Sequence, residues 1–207
     1  MTRNVIDNAI FLAAMIGEDI DDKATSAIHE TSNYLKDLKS STLKGKRLGV
    51  IKDLLTDSIY KNTINLLKKA GAIIVEFDPP KLELDGFLTL LNVDMKYDLP
   101  KYLKNYADKN IKITSVIDVV KLNLLDSLNR APYGQQLFEG IMKDSTSLAD
   151  LEIIKQHLNN NGIEFFKTPM DTYDLDAILY INNYHAGFAA VAKFPCLTVT
   201  MGYKKTG

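Results

Sequence analysis

The chain has 207 residues, 46% of them hydrophobic and 25% charged, a balance that supports a folded soluble chain with a buried core. Lysine and arginine number 25 against 26 for aspartate and glutamate, so a net charge of −1 sets up no field to hold a polyanion. Arg3, Arg47 and Arg130 are the only arginines, which leaves few planar forks for phosphates or base edges and excludes nucleic acid as an expected partner. No apolar run reaches the length of a membrane span, so no membrane partner is expected. The single Cys196, within Phe194-Pro195-Cys196-Leu197, builds no disulfide framework and reads as a small buried apolar side chain in a reducing, cytoplasmic compartment.

In chain order, Val5, Ala9, Leu12, Ala13 and Ile16 recur at helical spacing behind Thr2 or Asn4 as a cap, which predicts an amphipathic helix. Arg3 ahead of this apolar run resembles a secretion leader, but Asp7 and Asn8 interrupt it and no clean small-residue cleavage site follows. Gly17 to Asp22 is a breaker, and Ala24 to Leu38 carries a second helical pattern. A basic turn, Thr42 to Arg47, leads into the strand Leu48 to Ile51. Asp57 caps a helix with Ile59, Ile64, Leu66, Leu67 and Ala70 as its buried face, Gly71 ends it, and Ala72 to Phe77 forms the next strand.

Strand, helix, strand is a βαβ unit, whose parallel strands need helices over their faces; the class is α/β. Pro79-Pro80 closes the unit, and Leu82 to about Asn129 shows helical spacing without a strand of comparable quality. Leu148 to Asn159 reads as a helix stopped by Asn160-Asn161-Gly162. Ala177 to Ile181 and Leu197 to Met201 read as short strands, with a loop and short helix from Tyr184 to Lys193 between them. No repeat or linker divides the chain, so a single α/β domain over 1–207 is expected. A start in the first turn of a helix and an end in a hairpin-like turn give the chain the look of an excerpt.

The chemical motifs fail on their own requirements. Asp19, Asp21 and Asp22 lack a calcium loop's oxygen at the fifth position and Gly at the sixth, where Lys23 and Ala24 stand. His29, His157 and His185 are isolated from one another and from Cys196, so no metal site and no cofactor are expected. Ser58-x-x-Lys61, Ser127-x-Asn129 and Lys205-Thr-Gly207 mimic the order of a penicillin-recognising enzyme, but that chemistry needs its Lys-Thr-Gly on a strand with sheet beyond it. Gly45-Lys46 is not a phosphate loop.

Seven blocks in order resemble the later half of amidase-signature enzymes of the bacterial amidase type. Met1 to Ala9 is similar to the segment after the family's Gly/Ser-rich signature. Leu43-Lys-Gly-Lys-Arg-Leu-Gly-Val-Ile51 and Leu67-Lys-Lys-Ala-Gly-Ala-Ile-Ile-Val-Glu76 are similar to the next two strands with their approaches. Asp94 to Leu103, Tyr133-Gly-Gln-Gln-Leu-Phe-Glu139, Leu175-Asp-Ala-Ile-Leu179 and Asn182 to Tyr203 follow. The resemblance implies a partial amidase-signature fold, with a mixed β-sheet covered by helices on both faces.

It also implies a Ser, cis-Ser, Lys triad that attacks a small amide substrate, a free serine hydroxyl being a poor nucleophile without such neighbours. In the family the triad and its oxyanion loop precede the segment that Met1 to Ala9 resembles, so no catalytic residue is assigned. Ser40-Ser41 lack the flanking glycines. Tyr133, Gln135, Asn182, Asn183 and Tyr184 are the substrate-binding candidates, because the corresponding family segments lie near the mouth of the site. Also open from the residues alone, the two tyrosines are core aromatics and the two asparagines satisfy backbone groups at a strand end. The expectation is an amide hydrolase portion, inactive alone, that pairs with a missing N-terminal half or self-associates. The alternative is a stand-alone module that binds a small ligand or partner.

Overall fold

The structure is a computed structural model that describes residues 2–22, 25 and 34–204. His29, Lys205-Thr-Gly207 and most of the helix expected from Ala24 lie outside the described residues. The chain divides into two compact units: Met1–Pro79, Pro169–Tyr184 and Cys196–Gly207 form one, Pro80–Thr168 and His185–Pro195 the other.

In the first unit, helix α1 (Val5–Met15) starts at Asn4, whose side chain accepts from the Asp7 amide at 2.8 Å. Helix α2 is Tyr34–Ser40. Strand β1 (Arg47–Ile51) passes through a 3-10 turn, Lys52–Thr56, into helix α3 (Ser58–Lys69). Asp57 caps α3 as its side chain predicts, accepting from the amides of Ile59 and Tyr60 at 2.9 and 3.1 Å. Gly71, at φ +99°, turns the chain into strand β2 (Ile73–Phe77).

Strand β3 (Ala177–Leu179) completes a sheet of order β2-β1-β3. Both pairings are parallel, with Leu48 opposite Ile74 on one side and Ala177 on the other. The α/β class holds, while the mixed pairing expected of the sheet gives way to parallel pairing throughout the described strands. Alternation along central β1 sends Val50 and Ile51 to opposite faces. Val50 packs with Tyr60, Ile64 and Ile181 beneath α3, and Ile51 with Phe77 and Leu175. Gly49 is required on the second face: a Cβ there would stand 2.6 Å from Leu175 Cδ1 and 2.9 Å from Phe77 Cε1.

Four expectations fail in this unit. Cys196, expected to be buried, is exposed, because no element packs over the segment it stands in. Leu66 in α3 and Ala70 just after it are exposed, and Tyr60, absent from the expected face, is buried beside Ile64, its hydroxyl donating to Leu179 O. Leu197 to Met201 is not a strand, because no neighbouring strand pairs its backbone; Leu197 and Val199 remain exposed while Met201 packs near Val50. The predicted inner face of α1 buries only Ala9.

The second unit is helical: α4 (Phe87–Tyr106), α5 (Val116–Leu124), α6 (Ser127–Arg130), α7 (Gln136–Lys143), most of α8 (Leu148–Tyr173) and α9 (Ala186–Ala192). Val93, Val116, Val120, Ile141, Leu151, Leu158, Phe165 and Phe188 are buried in it. Asn160-Asn161-Gly162 does not stop α8. Gly162 instead lets α9 approach, since a Cβ would lie 2.7 Å from Phe188 O and 2.8 Å from Ala192 N. The nearby amide side chains, which would otherwise compete for the helix backbone, are engaged elsewhere: Asn159 donates to Val191 O at 2.7 Å and Asn161 to Glu83 O at 2.9 Å. Phe165 stacks on Phe188 at 4.0 Å over that contact.

Candidate functional site

Tyr133 and Gln135 occupy the turn between α6 and α7. Gly134 makes the turn at φ +81°, and its amide donates to Ala131 O at 2.9 Å. The Gln135 side-chain oxygen accepts from Asn123 at 3.2 Å, which ties the turn to α5. Tyr133 is 97% exposed, so it is not a core aromatic.

Asn182, Asn183 and Tyr184 follow the C-terminal end of β3 in the other unit. Buried Ile181 anchors that turn, Asn182 sits at φ +52°, and the Tyr184 amide donates to Ile181 O at 3.1 Å. The left-handed position suits asparagine, whose short amide tolerates it. Tyr184 is 53% exposed and likewise outside the core. These five residues thus fall into two turns, each presenting uncharged amide and phenol groups that donate and accept hydrogen bonds without a general base among them.

Tyr60 and Tyr180, beside the end of β3, escape a reading of the sequence because a tyrosine at helical or strand spacing looks like packing. Tyr60 Oη donates to Leu179 O at 2.7 Å. Burial pushes its phenol up to about 12, and burial raises that of Tyr180 as well, so both stay protonated near neutrality.

Four serine hydroxyls have local partners. Ser40 donates to Lys36 O and Asp37 O, and Ser41 to Leu38 O, as back-bonds at the end of α2. Ser115 and Ser147 donate to Asp118 and Asp150 in capping pairs at the starts of α5 and α8. Lys46, Lys52, Lys155 and Lys204 each pair with a carboxylate. Asp19 accepts from the Asp21 amide in a short acidic turn, and among the described residues no group of three or more His, Cys, Asp or Glu is arranged to hold a metal. No helix among them is long and apolar enough to cross a membrane.

A cavity of about 350 Å³ lies at the other end of the sheet, lined by Lys44, Gly45, Lys46, Arg47, Asp174, Leu175 and Asp176. Three of its charged side chains, Lys46, Arg47 and Asp176, are committed to structure. Asp176 accepts from Lys46 Nζ at 2.7 Å and the Arg47 amide at 2.8 Å, and these two contacts hold its carboxyl below the usual range. The Arg47 guanidinium donates to Tyr173 O and Asp174 O at 2.8–3.0 Å, closing the end of α8. These contacts make the cavity wall a clasp joining β1, β3 and the end of α8.

The amidase family model matches residues 1–193. An Arabidopsis thaliana protein described as a probable amidase is 28% identical over 99% of this chain, which spans 42% of its length. A protein of Arthroderma benhamiae described as a putative amidase is 36% identical over 100% of this chain, which spans 38% of it. Among solved structures, an amidase family protein from Bacillus anthracis superposes with a TM-score of 0.84 at 29% identity, over 93% of this chain and 39% of that one. The chain spans less than half the length of each of these relatives.

Proposed function

The chain belongs to the amidase family, and from that premise we propose that it is the C-terminal portion of an amidase-signature carboxamide hydrolase, providing scaffold and substrate wall while the nucleophile comes from the rest of the fold. One observation carries the reading: the match runs along almost the whole chain yet takes in only 38–42% of each relative. Four of the described serines support it, because Ser40, Ser41, Ser115 and Ser147 spend their hydroxyls on helix ends and caps.

In this reading the reacting serine, its cis-serine and its lysine lie outside the chain, and so does the loop that holds the oxyanion. The turn of Tyr133 and Gln135 and the turn of Asn182, Asn183 and Tyr184 each offer an amide neutral hydrogen-bonding groups. Such groups fix the carbonyl and amino ends of a small amide but move no proton. The two compact units are read as parts of one incomplete domain, with a cytoplasmic location, and the partner is the N-terminal half of the fold.

Purified alone and assayed on simple primary amides and anilides, the chain is expected to show no turnover and no labelling by a serine-directed fluorophosphonate. Turnover that the reagent abolishes overturns the proposal.

A second reading is favoured by the exposed apolar side chains, Leu125, Leu128 and Tyr133 among them: a stand-alone module that binds a small ligand or a partner chain. A monomeric mass at all concentrations, with no change on adding an amide ligand, counts against it.

A further inference from the structure

Asn161-Gly162 is the only Asn-Gly pair in the sequence. The backbone nitrogen that follows an asparagine can close on that residue's own side-chain carbonyl carbon. Glycine leaves this attack most open, because without a Cβ it neither shields the nitrogen nor restricts the rotation that brings it round. In an exposed turn such a pair loses its amide with time. Here it lies inside α8, and three features hold it closed.

The first is the helix itself. Ring closure needs the Gly162 nitrogen to shed its proton and the Asn161 backbone to rotate until that nitrogen faces Cγ, whereas α8 holds the proton in a helical hydrogen bond and the backbone in the helical well. The second is the side chain, whose Nδ2 donates to Glu83 O at 2.9 Å and stands 3.3 Å from His157 Nε2. The third is α9. Gly162 is buried against it, so closely that a Cβ would stand 2.7 Å from Phe188 O and 2.8 Å from Ala192 N.

We propose that Asn161 is a deamidation site gated by the fold, inert while α8 is docked on α9 and converted to aspartate or isoaspartate when that contact opens. The step consumes only water. The Gly162 nitrogen loses its proton and bonds to Asn161 Cγ, the Cγ–Nδ2 bond breaks, and the side-chain nitrogen leaves as ammonia with that proton. Water then opens the five-membered imide: cleavage of the new bond to Cγ gives aspartate, and cleavage of the original peptide bond gives isoaspartate.

Neither product restores the contact. Aspartate puts an acceptor where the amide donated to Glu83 O, leaving two oxygens face to face. Isoaspartate adds a methylene to the backbone beside Gly162, where there is no room even for a methyl. A molecule that has once opened α8 is thereby marked covalently and kept from closing as before.

The test incubates the 207-residue chain in mildly alkaline buffer, folded and in urea above its unfolding midpoint, and maps conversion at Asn161 by peptide mass. Conversion should be at least about tenfold slower in the folded chain, because its rate follows the small open fraction. Asn159→Ala removes the bond from α8 to Val191 O; it should speed conversion at least about threefold in the folded chain and leave the rate in urea unchanged. Phe188→Leu, which loses the ring stacked on Phe165, is the second variant should the first not fold, and it should act in the same direction. Asn161→Asp should lower the unfolding midpoint and quicken amide hydrogen exchange across residues 158–166.

Equal rates in the folded chain and in urea overturn the proposal. So does conversion that ignores these substitutions while hydrogen exchange across α8 quickens, faster conversion of another asparagine in urea, or an Asn161→Asp chain with the midpoint and exchange of wild type.

Discussion

Replacing Gly162 by alanine tests whether the close contact of α8 with α9 is what carries α8 through Asn160-Asn161-Gly162. In an open helix the change should stabilise by up to about 1 kcal/mol, since alanine loses less backbone freedom than glycine. Here the added methyl would stand 2.7 Å from Phe188 O, 2.7 Å from Val191 Cγ2 and 2.8 Å from Ala192 N. Two of those atoms are backbone and cannot rotate away, so the helices must separate.

Overpacking of this kind costs about 1–3 kcal/mol. Separation also strains the Asn159 bond to Val191 O and the stacked pair Phe165–Phe188, the latter worth roughly 0.5–1.5 kcal/mol. The net expectation is a loss of roughly 1–3 kcal/mol, or about 2–10 °C in unfolding midpoint for a chain of this size.

Gly140→Ala is the internal control: it also lies within a helix, but the nearest atom to its methyl is Asn92 Nδ2 at 3.8 Å, in ordinary contact. That variant should rise by about 1–4 °C. Thermal unfolding followed by dichroism in the far ultraviolet reads both. If Gly162→Ala matches or exceeds wild type, the contact does not hold the helices together as described.

Tyr60→Phe removes the bond to Leu179 O, which should cost about 0.5–1.5 kcal/mol in urea titration. Because the folded phenol is raised above its unfolded value near 10, its contribution is complete below pH 10 and lost as pH rises toward 12; the phenylalanine variant should lose that alkaline slope. Asp57 is held low chiefly by the Tyr60 amide and then by Lys204, and Asp176 by Lys46 and then the Arg47 amide. Both contributions are present above about pH 4 and lost as pH falls through the lower folded values, so Asp57→Asn with Asp176→Asn should flatten the acid limb of a stability profile. Arg47→Lys keeps the charge but cannot fork between Tyr173 O and Asp174 O, and should lower stability by about 1–2 kcal/mol in the same titration.

Features that depend on neighbours along the chain were legible in the residues. Asp57 and Gly71 bracket α3 because a side-chain cap and a left-handed residue act within one turn, and the β-branched runs on either side become β1 and β2. The ordered blocks from Met1 to Tyr203 likewise carried the family, since family resemblance resides in the residues themselves.

Features that depend on contacts distant in sequence were settled by packing. Asn160-Asn161-Gly162 has the residues of a helix end, but the approach of Phe188 to Ala192 turns its glycine into a contact point and keeps the helix running. Leu197 to Met201 alternates like a strand yet forms none, because a strand exists only beside another that accepts its hydrogen bonds. The outward phenols of Tyr133 and Tyr184, and the open side of α1, were equally invisible: an apolar residue records that burial is favourable, and not which surface provides it.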